Sequence, residues 1–423
     1  MWLFNNPPLK QFKEKYQFEP TPQWLEHLQK SSVRFNSGGS GSFISANGLV
    51  ITNHHVGADT LQKVGDEQHN YLRDGFYART QTEEIKSTDL ELNVLDSIED
   101  VTQRVNAAVK SGMSADDATK ARGNAIAQIE TESKEKTGLR SDVITLYQGG
   151  VYNLYRYKRY DDVRIVFAPE QQIAFYGGDP DNFEYPRFDL DICIFRVYEN
   201  GQPARIDNYL KWNSKGPSDG ELTFVSGSPG RTDRQLTVDE MTDRRDREVP
   251  NWLRMFNRRE VMLVAWGQRS FENARRCRDD LFGDQNNRKR YDGYIAALLD
   301  PEIWSAIEAR EKKLREAMAR DPKLKSTLSA YDRIKKAQTE LLKIAPRYDY
   351  LEQERPITVG YRGPRAFTER CSNTRGCSHA RSMNAPSQTA NAFQRFATAP
   401  GITRTRAVLD RTGLRRLRNP EAD

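Results

Sequence analysis

Residues Phe43 to Thr52 read Phe-Ile-Ser-Ala-Asn-Gly-Leu-Val-Ile-Thr, and no other stretch limits the fold as much. Asn-Gly between apolar, β-branched runs predicts a tight antiparallel hairpin, because the two turn residues must accept φ above zero. The preceding Ser37-Gly-Gly-Ser-Gly-Ser42 predicts a turn. His54 and His55 follow the second strand directly. An imidazole held at a strand end, where its backbone cannot drift, suits a general base. A packed histidine is the plainer alternative for either ring.

Further strands are predicted at Val143–Tyr147, Val151–Tyr157, Val163–Phe167, Asp191–Tyr198 and Leu222–Val225. Residues 100–138 read as helix, with Ser114-Ala-Asp-Asp117 resembling a capping box and Gly138 as the stop. The apolar face there is thin, Ile126 and Ile129, which predicts a surface helix. From Val238 to Leu351 the period becomes helical. Asp300-Pro301 and Asp321-Pro322 each read as an N-cap with proline at the first helical position. Leu324, Leu328, Tyr331, Ile334 and Leu341 then trace one face. The expected class is α+β. It comprises an N-terminal arm over 1–36, with a short helix near Trp24 to Lys30, and a β-rich unit over 37–237 with the helical insertion. A helical unit over 238–359 and a basic tail over 360–423 complete it. No internal repeat is visible.

Composition narrows the function. Mean hydropathy is −0.80 and no apolar run reaches 18 residues, so no membrane-spanning helix is expected. Aromatic residues make up 10%, too many for a wholly disordered chain. The net charge of +6 is unevenly placed. Residues 344–423 carry 14 Arg, no Lys and 7 acidic residues, a net +7, whereas the other 343 residues carry 51 basic and 52 acidic groups, a net −1. A neutral body argues against nucleic acid as the partner. The four cysteines form no metal-binding spacing, and Cys371 and Cys377 have no companion pair, so zinc is not expected. No secretory leader is read at Met1-Trp2-Leu3, and the expectation is either a cytoplasmic protein or a sequence that begins after the true start.

The 18 residues Gly39 to Val56, ending in Thr52-Asn53-His54-His55-Val56, resemble the opening of a chymotrypsin-like β-barrel. Phe175-Tyr-Gly-Gly-Asp-Pro-Asp-Asn-Phe-Glu-Tyr-Pro-Arg-Phe-Asp-Leu-Asp191 and Leu222-Thr-Phe-Val-Ser-Gly-Ser-Pro-Gly-Arg-Thr-Asp-Arg234 narrow the likeness. Together the three segments are similar to the bacterial serine dipeptidyl peptidases of the seven and eleven types, over roughly residues 1–350. That family has a chymotrypsin-like fold with an inserted helical domain and uses no cofactor.

The resemblance implies roles residue by residue. His55 would be the general base and Asp191 the acid on its Nδ1, with Asp189 the local competitor and His54 a packing or hydrogen-bonding neighbour. Asn182 falls where the family contacts the substrate's free α-amine. Phe183 stands where the family usually has Trp, which keeps a ring but loses the indole donor. Asn286, in Asn286-Asn-Arg-Lys289, matches a second amine contact weakly, a surface helix Asn being the alternative.

Some features depart from the pattern. The family's nucleophile lies in a Gly-Asn-Ser-Gly-Ser-type loop that these 423 residues do not contain, and Ser228 in Gly227-Ser-Pro-Gly230 is a poor substitute. The expectation is a truncated member with the second barrel missing and negligible activity of its own. The tail reads as a disordered basic segment or as a frameshifted one, the latter favoured by the resemblance. Peptides with a free N-terminus are the implied partners, the periplasm or cell envelope the implied location, and a homodimer stays open. Two rivals remain: an HtrA-like serine endopeptidase, and a non-catalytic binding protein with an Arg-rich tail.

Overall fold

The computed structural model describes residues 2–229 and 236–351. The tail over 360–423, the last residues of the predicted helical unit, and Cys371 and Cys377 lie outside the described residues.

Among the described residues eleven strands form one antiparallel sheet: β1 Ser32–Phe35, β2 Ser40–Phe43, β3 Leu49–Thr52, β4 Phe76–Tyr77, β5 Ile85–Lys86, β6 Leu92–Asp100, β7 Arg140–Leu146, β8 Val151–Tyr160, β9 Asp162–Ala168, β10 Cys193–Glu199 and β11 Gln202–Pro203. The ladder runs β4-β9-β10-β3-β2-β1-β6-β8-β7, with β11 beside β10 and β5 beside β9. The Asn-Gly hairpin forms as expected: β2 pairs β3 through Ser42↔Ile51 and Phe43↔Val50, and Gly48 takes φ +76°. The glycine-rich run is only partly a turn, since Ser40 to Ser42 belong to β2. Along β1, β2, β3 and β10 inward and outward residues largely alternate. Val33, Phe35, Phe43, Val50, Val163, Ile165, Phe195 and Val197 are all buried, and Phe35 meets Phe195 edge-on at 5.8 Å. Helix His54–Val64 adds Leu61 to this core.

The helix predicted over 100–138 is broken: Asp100 ends β6, Thr102–Ala107 is a separate helix, and a turn precedes Ser114. Helix Ala115–Thr137 uses the predicted cap and stop. Ser114 accepts the Asp117 N–H at 3.1 Å and Gly138 closes it in the left-handed region. The box is one-sided, because Asp117 accepts from the Ser114 hydroxyl at 2.7 Å and leaves the Ser114 N–H alone. Its thin apolar stripe suffices: Ile129 is buried against Val101, Val105, Tyr152 and Leu154.

Three differences from expectation have local causes. Strand β6 was not anticipated, because Leu92 to Leu95 are buried on both faces and lack alternation. The predicted strand Leu222–Val225 is irregular. Phe224 instead meets Phe12 and Trp24 edge-on at 5.5 and 5.3 Å and tilts against Phe18 at 5.2 Å, pinning helices Leu9–Tyr16 and Pro22–Ser31. Asp321 bonds the Lys323 N–H at 2.8 Å, but the α-helix starts later, at Ser329. A tight 3-10 turn over Lys325–Leu328 intervenes, where the Thr327 hydroxyl donates to the Leu324 carbonyl at 2.5 Å. Such local bonds compete with the α-helical ladder.

The helical unit starts at Val238 with a full capping box, Thr237 and Glu240 bonding each other's backbone. Helices Val249–Gly267, Phe271–Leu299, Pro301–Arg320 and Ser329–Leu351 follow. Asp300 caps its helix as predicted, accepting the Glu302 and Ile303 N–H groups at 2.8 and 3.1 Å. Met241, Val249 and Leu298 form a small core with Leu253, Tyr291, Ile295 and Trp304. No helix among the described residues is long and apolar enough to cross a membrane.

Candidate active site

Strand register brings the site together. β3 and β10 pair antiparallel with Thr52 opposite Cys193. One residue past β3 stands Asn53, and two residues before β10 stands Asp191, so the start of helix His54–Val64 faces the acid-bearing segment. The His55 Nδ1 lies 2.7 Å from Asp191 Oδ2, and the His55 backbone N–H donates to Oδ1 at 3.0 Å. The side chain of His55 remains 68% exposed while that of Asp191 is 26% exposed, leaving the imidazole's far edge free to act.

The electrostatics suit an acid–base pair. The hydrogen bond to Asp191 pushes the His55 pKa above 6.5, against partial burial, with Asp189 adding a smaller push. Burial drives the Asp191 carboxyl up, yet the His55 ring and backbone N–H outweigh it and hold the pKa below 3.8. His54 is buried, which lowers its pKa, and its Nε2 has no partner. Asp189 pairs with Arg187 at 3.0 Å and is not the residue on His55. Among the described residues no serine hydroxyl bonds the His55 ring. Ser228 bonds through its N–H to Ser40 Oγ at 2.7 Å.

Gly57 lets helix His54–Val64 pack closely against Cys193 of β10. A Cβ there would lie 2.6 Å from Cys193 Sγ and 3.1 Å from its Cβ. Cys193 is wholly buried, so the sulfur has little room to retreat. Gly57→Ala should therefore destabilise by about 1–3 kcal/mol of overpacking. Thermal unfolding checks this, a Tm fall of several degrees being expected.

The amine-contact candidates also converge. Asn182 Nδ2 donates to Asn286 Oδ1 at 2.9 Å, across 104 positions in sequence. Arg187 Nη1 donates to Asn182 Oδ1 at 3.2 Å, and its guanidinium lies over the Phe175 ring at 4.9 Å. Phe183 is 61% exposed and sits at φ +66°, so its ring is not packed and its backbone is strained. Lys289 donates to the carbonyls of Asp179, Pro180 and Asn182, the last two at 3.1 and 3.2 Å. Sequence reasoning gave Lys289 no role, although its i, i+3 spacing from Asn286 already placed both on one helix face. Asn53 carries no predicted role either, although it stands inside the Thr-Asn-X-His motif. It donates to the Asp191 carbonyl at 3.1 Å and to Oδ2 at 3.3 Å. No group of three or more His, Cys, Asp or Glu among the described residues could hold a metal ion.

Comparison with known proteins defines the class as a peptidase. The sequence model of peptidase S46 matches residues 1–402, and the chain belongs to that family. It is 30% identical over 295 residues to dipeptidyl-peptidase 7 of Phocaeicola vulgatus, covering 66% of this chain and 41% of that one. It is 34% identical over 232 residues to the Asp/Glu-specific dipeptidyl-peptidase of Porphyromonas endodontalis, covering 51% and 32%. The crystal structure of P. endodontalis DPP11 with the dipeptide Arg-Glu superposes with a TM-score of 0.71 at 27% identity, over 83% of this chain and 53% of that one. The chain thus spans half or less of the curated relatives' length.

Proposed function

We propose that this chain carries the acid–base half of a serine-type dipeptidyl-peptidase, which releases dipeptides from peptide N-termini through an acyl-enzyme. The observation that carries the reading is the 2.7 Å contact between His55 Nδ1 and Asp191 Oδ2 at the mouth of a strand pair. With Nδ1–H donated to Asp191, the lone pair of Nε2 faces outward and can take a serine proton, and the carboxylate stabilises the imidazolium that results. The sheet serves as the first barrel of a chymotrypsin-like pair and the helices from Val238 as the cap.

Dipeptide length follows from an amine anchor. Asn182 and Asn286 hold two carboxamide oxygens close together, and each oxygen keeps a lone pair for an ammonium. The strained, exposed Phe183 beside them fits a contact surface for the first substrate residues. In this reading the helical unit that carries Asn286 limits longer extensions, so specificity is a charge-assisted contact plus a steric limit. The serine would come from a segment other than the described residues. A polypeptide of these 423 residues by itself is expected to release no dipeptide, since loss of the nucleophile removes most of the rate enhancement. The periplasm or cell envelope is the proposed location, which cell fractionation checks.

The test joins this half to the second half of a full-length relative and offers tetrapeptides with free or acetylated N-termini. Mass spectrometry should show dipeptides from the free-amine substrates alone. Internal cleavage of acetylated peptides would favour an endopeptidase, and turnover by the 423-residue chain unaided would contradict the division of roles.

A further inference from the structure

Asn53 occupies the N-cap of helix His54–Val64, with extended backbone at φ −83° and ψ 151°. At that position an asparagine ordinarily accepts the N–H of the second or third helical residue through its side-chain oxygen. Asn53 makes no such bond. The second residue is His55, and its N–H goes to Asp191 Oδ1 at 3.0 Å. The carboxamide of Asn53 presents its donor end instead, to the Asp191 carbonyl and to Oδ2 at 3.1 and 3.3 Å. Both partners are acceptors, so only the NH2 end fits there.

We propose that Asn53 is a positioning residue for the His55–Asp191 pair, ceding the helix cap to Asp191 and locking the carboxylate's orientation. A carboxylate with a single donor can rotate about its Cβ–Cγ bond. Here Oδ1 is fixed by the His55 backbone, and Oδ2 by the His55 ring and Asn53 together. The bond to the Asp191 carbonyl also fixes the main chain just before β10. The partial positive charge of the helix N-terminus then falls on Asp191, where it favours the ionised form. The inference rests on the proposed role of His55 but can be tested without substrate or nucleophile. Asp191 and Asp189 are the charged groups that raise the pKa of the His55 ring, and the His55 charge in turn lowers that of His54.

The measurement is an NMR pH titration of the imidazoles in the 423-residue chain, wild type against Asn53→Ser, Asn53→Ala and Asp191→Asn. Serine caps a helix about as well as asparagine but cannot give two bonds to Asp191. Asn53→Ser should hold Tm near wild type, while His55 titrates lower, toward its position in Asp191→Asn, and the low-field Nδ1–H signal weakens. Asn53→Ala should give the same shift with a lower Tm. An unmoved His55 in both Asn53 variants, with a clear shift in Asp191→Asn, overturns the proposal and leaves the acid–base pair standing. No shift in Asp191→Asn overturns both.

Discussion

Asp191→Asn should lower kcat by about 10⁴-fold in the fused enzyme, the size of effect expected when the acid behind a catalytic histidine loses its charge. The asparagine oxygen can still accept the His55 backbone N–H, so the helix start and the fold are preserved. What changes is the ring. An amide NH2 facing Nδ1 favours the tautomer with the proton on Nε2, and the imidazolium has no counter-charge. The variant should also lose a pH-dependent part of its stability. His55 is held above 6.5, so its contribution is full below 6.5 and disappears as pH rises through the folded value. Asp191 is held below 3.8, so its contribution is full above 3.8 and disappears as pH falls through the folded value. The stability gap between wild type and variant should be widest between 3.8 and 6.5 and shrink on both sides. Chemical denaturation across pH reads this directly. A uniform gap at every pH would contradict a charged pair.

The second large effect concerns the amine. Replacing Asn182 and Asn286 together by Ala removes both carboxamide oxygens offered to the substrate ammonium. A hydrogen bond to a charged group contributes about 1.5–3 kcal/mol, so kcat/KM for free-amine substrates should fall on the order of 100-fold. The two residues bond each other at 2.9 Å, and the single variants should not add up to the double. Lys289 still binds the backbone carbonyls of Asp179, Pro180 and Asn182 and holds the turn, so Tm should change little by comparison. A fall in Tm as large as that of a core variant would show a general collapse of the loop instead.

Much of this was legible in the sequence, for identifiable reasons. The hairpin at Asn47-Gly48, the helix start at Val238 and the Asp300-Pro301 cap are local chemistry, and local chemistry is written in short stretches of residues. The pairing of His55 with Asp191 over 136 positions was legible only through resemblance, because strand register between β3 and β10 is a tertiary fact. β6 was illegible because burial on both faces erases alternation. The false strand at Leu222–Val225 has the right residue types but no ladder partner, since Phe224 is taken by three aromatic rings. The roles of Asn53 and Lys289 depend on which neighbours the fold delivers. Asparagine before a helix predicts a cap, and here the fold supplies a carboxylate that takes over that task.

The most direct measurement is the NMR titration of His55 in the wild-type chain. The account predicts a pKa above the ordinary histidine value of 6.5, with a low-field Nδ1–H proton that marks donation to Asp191. Titration at or below 6.5, with no low-field proton at any pH, would contradict it.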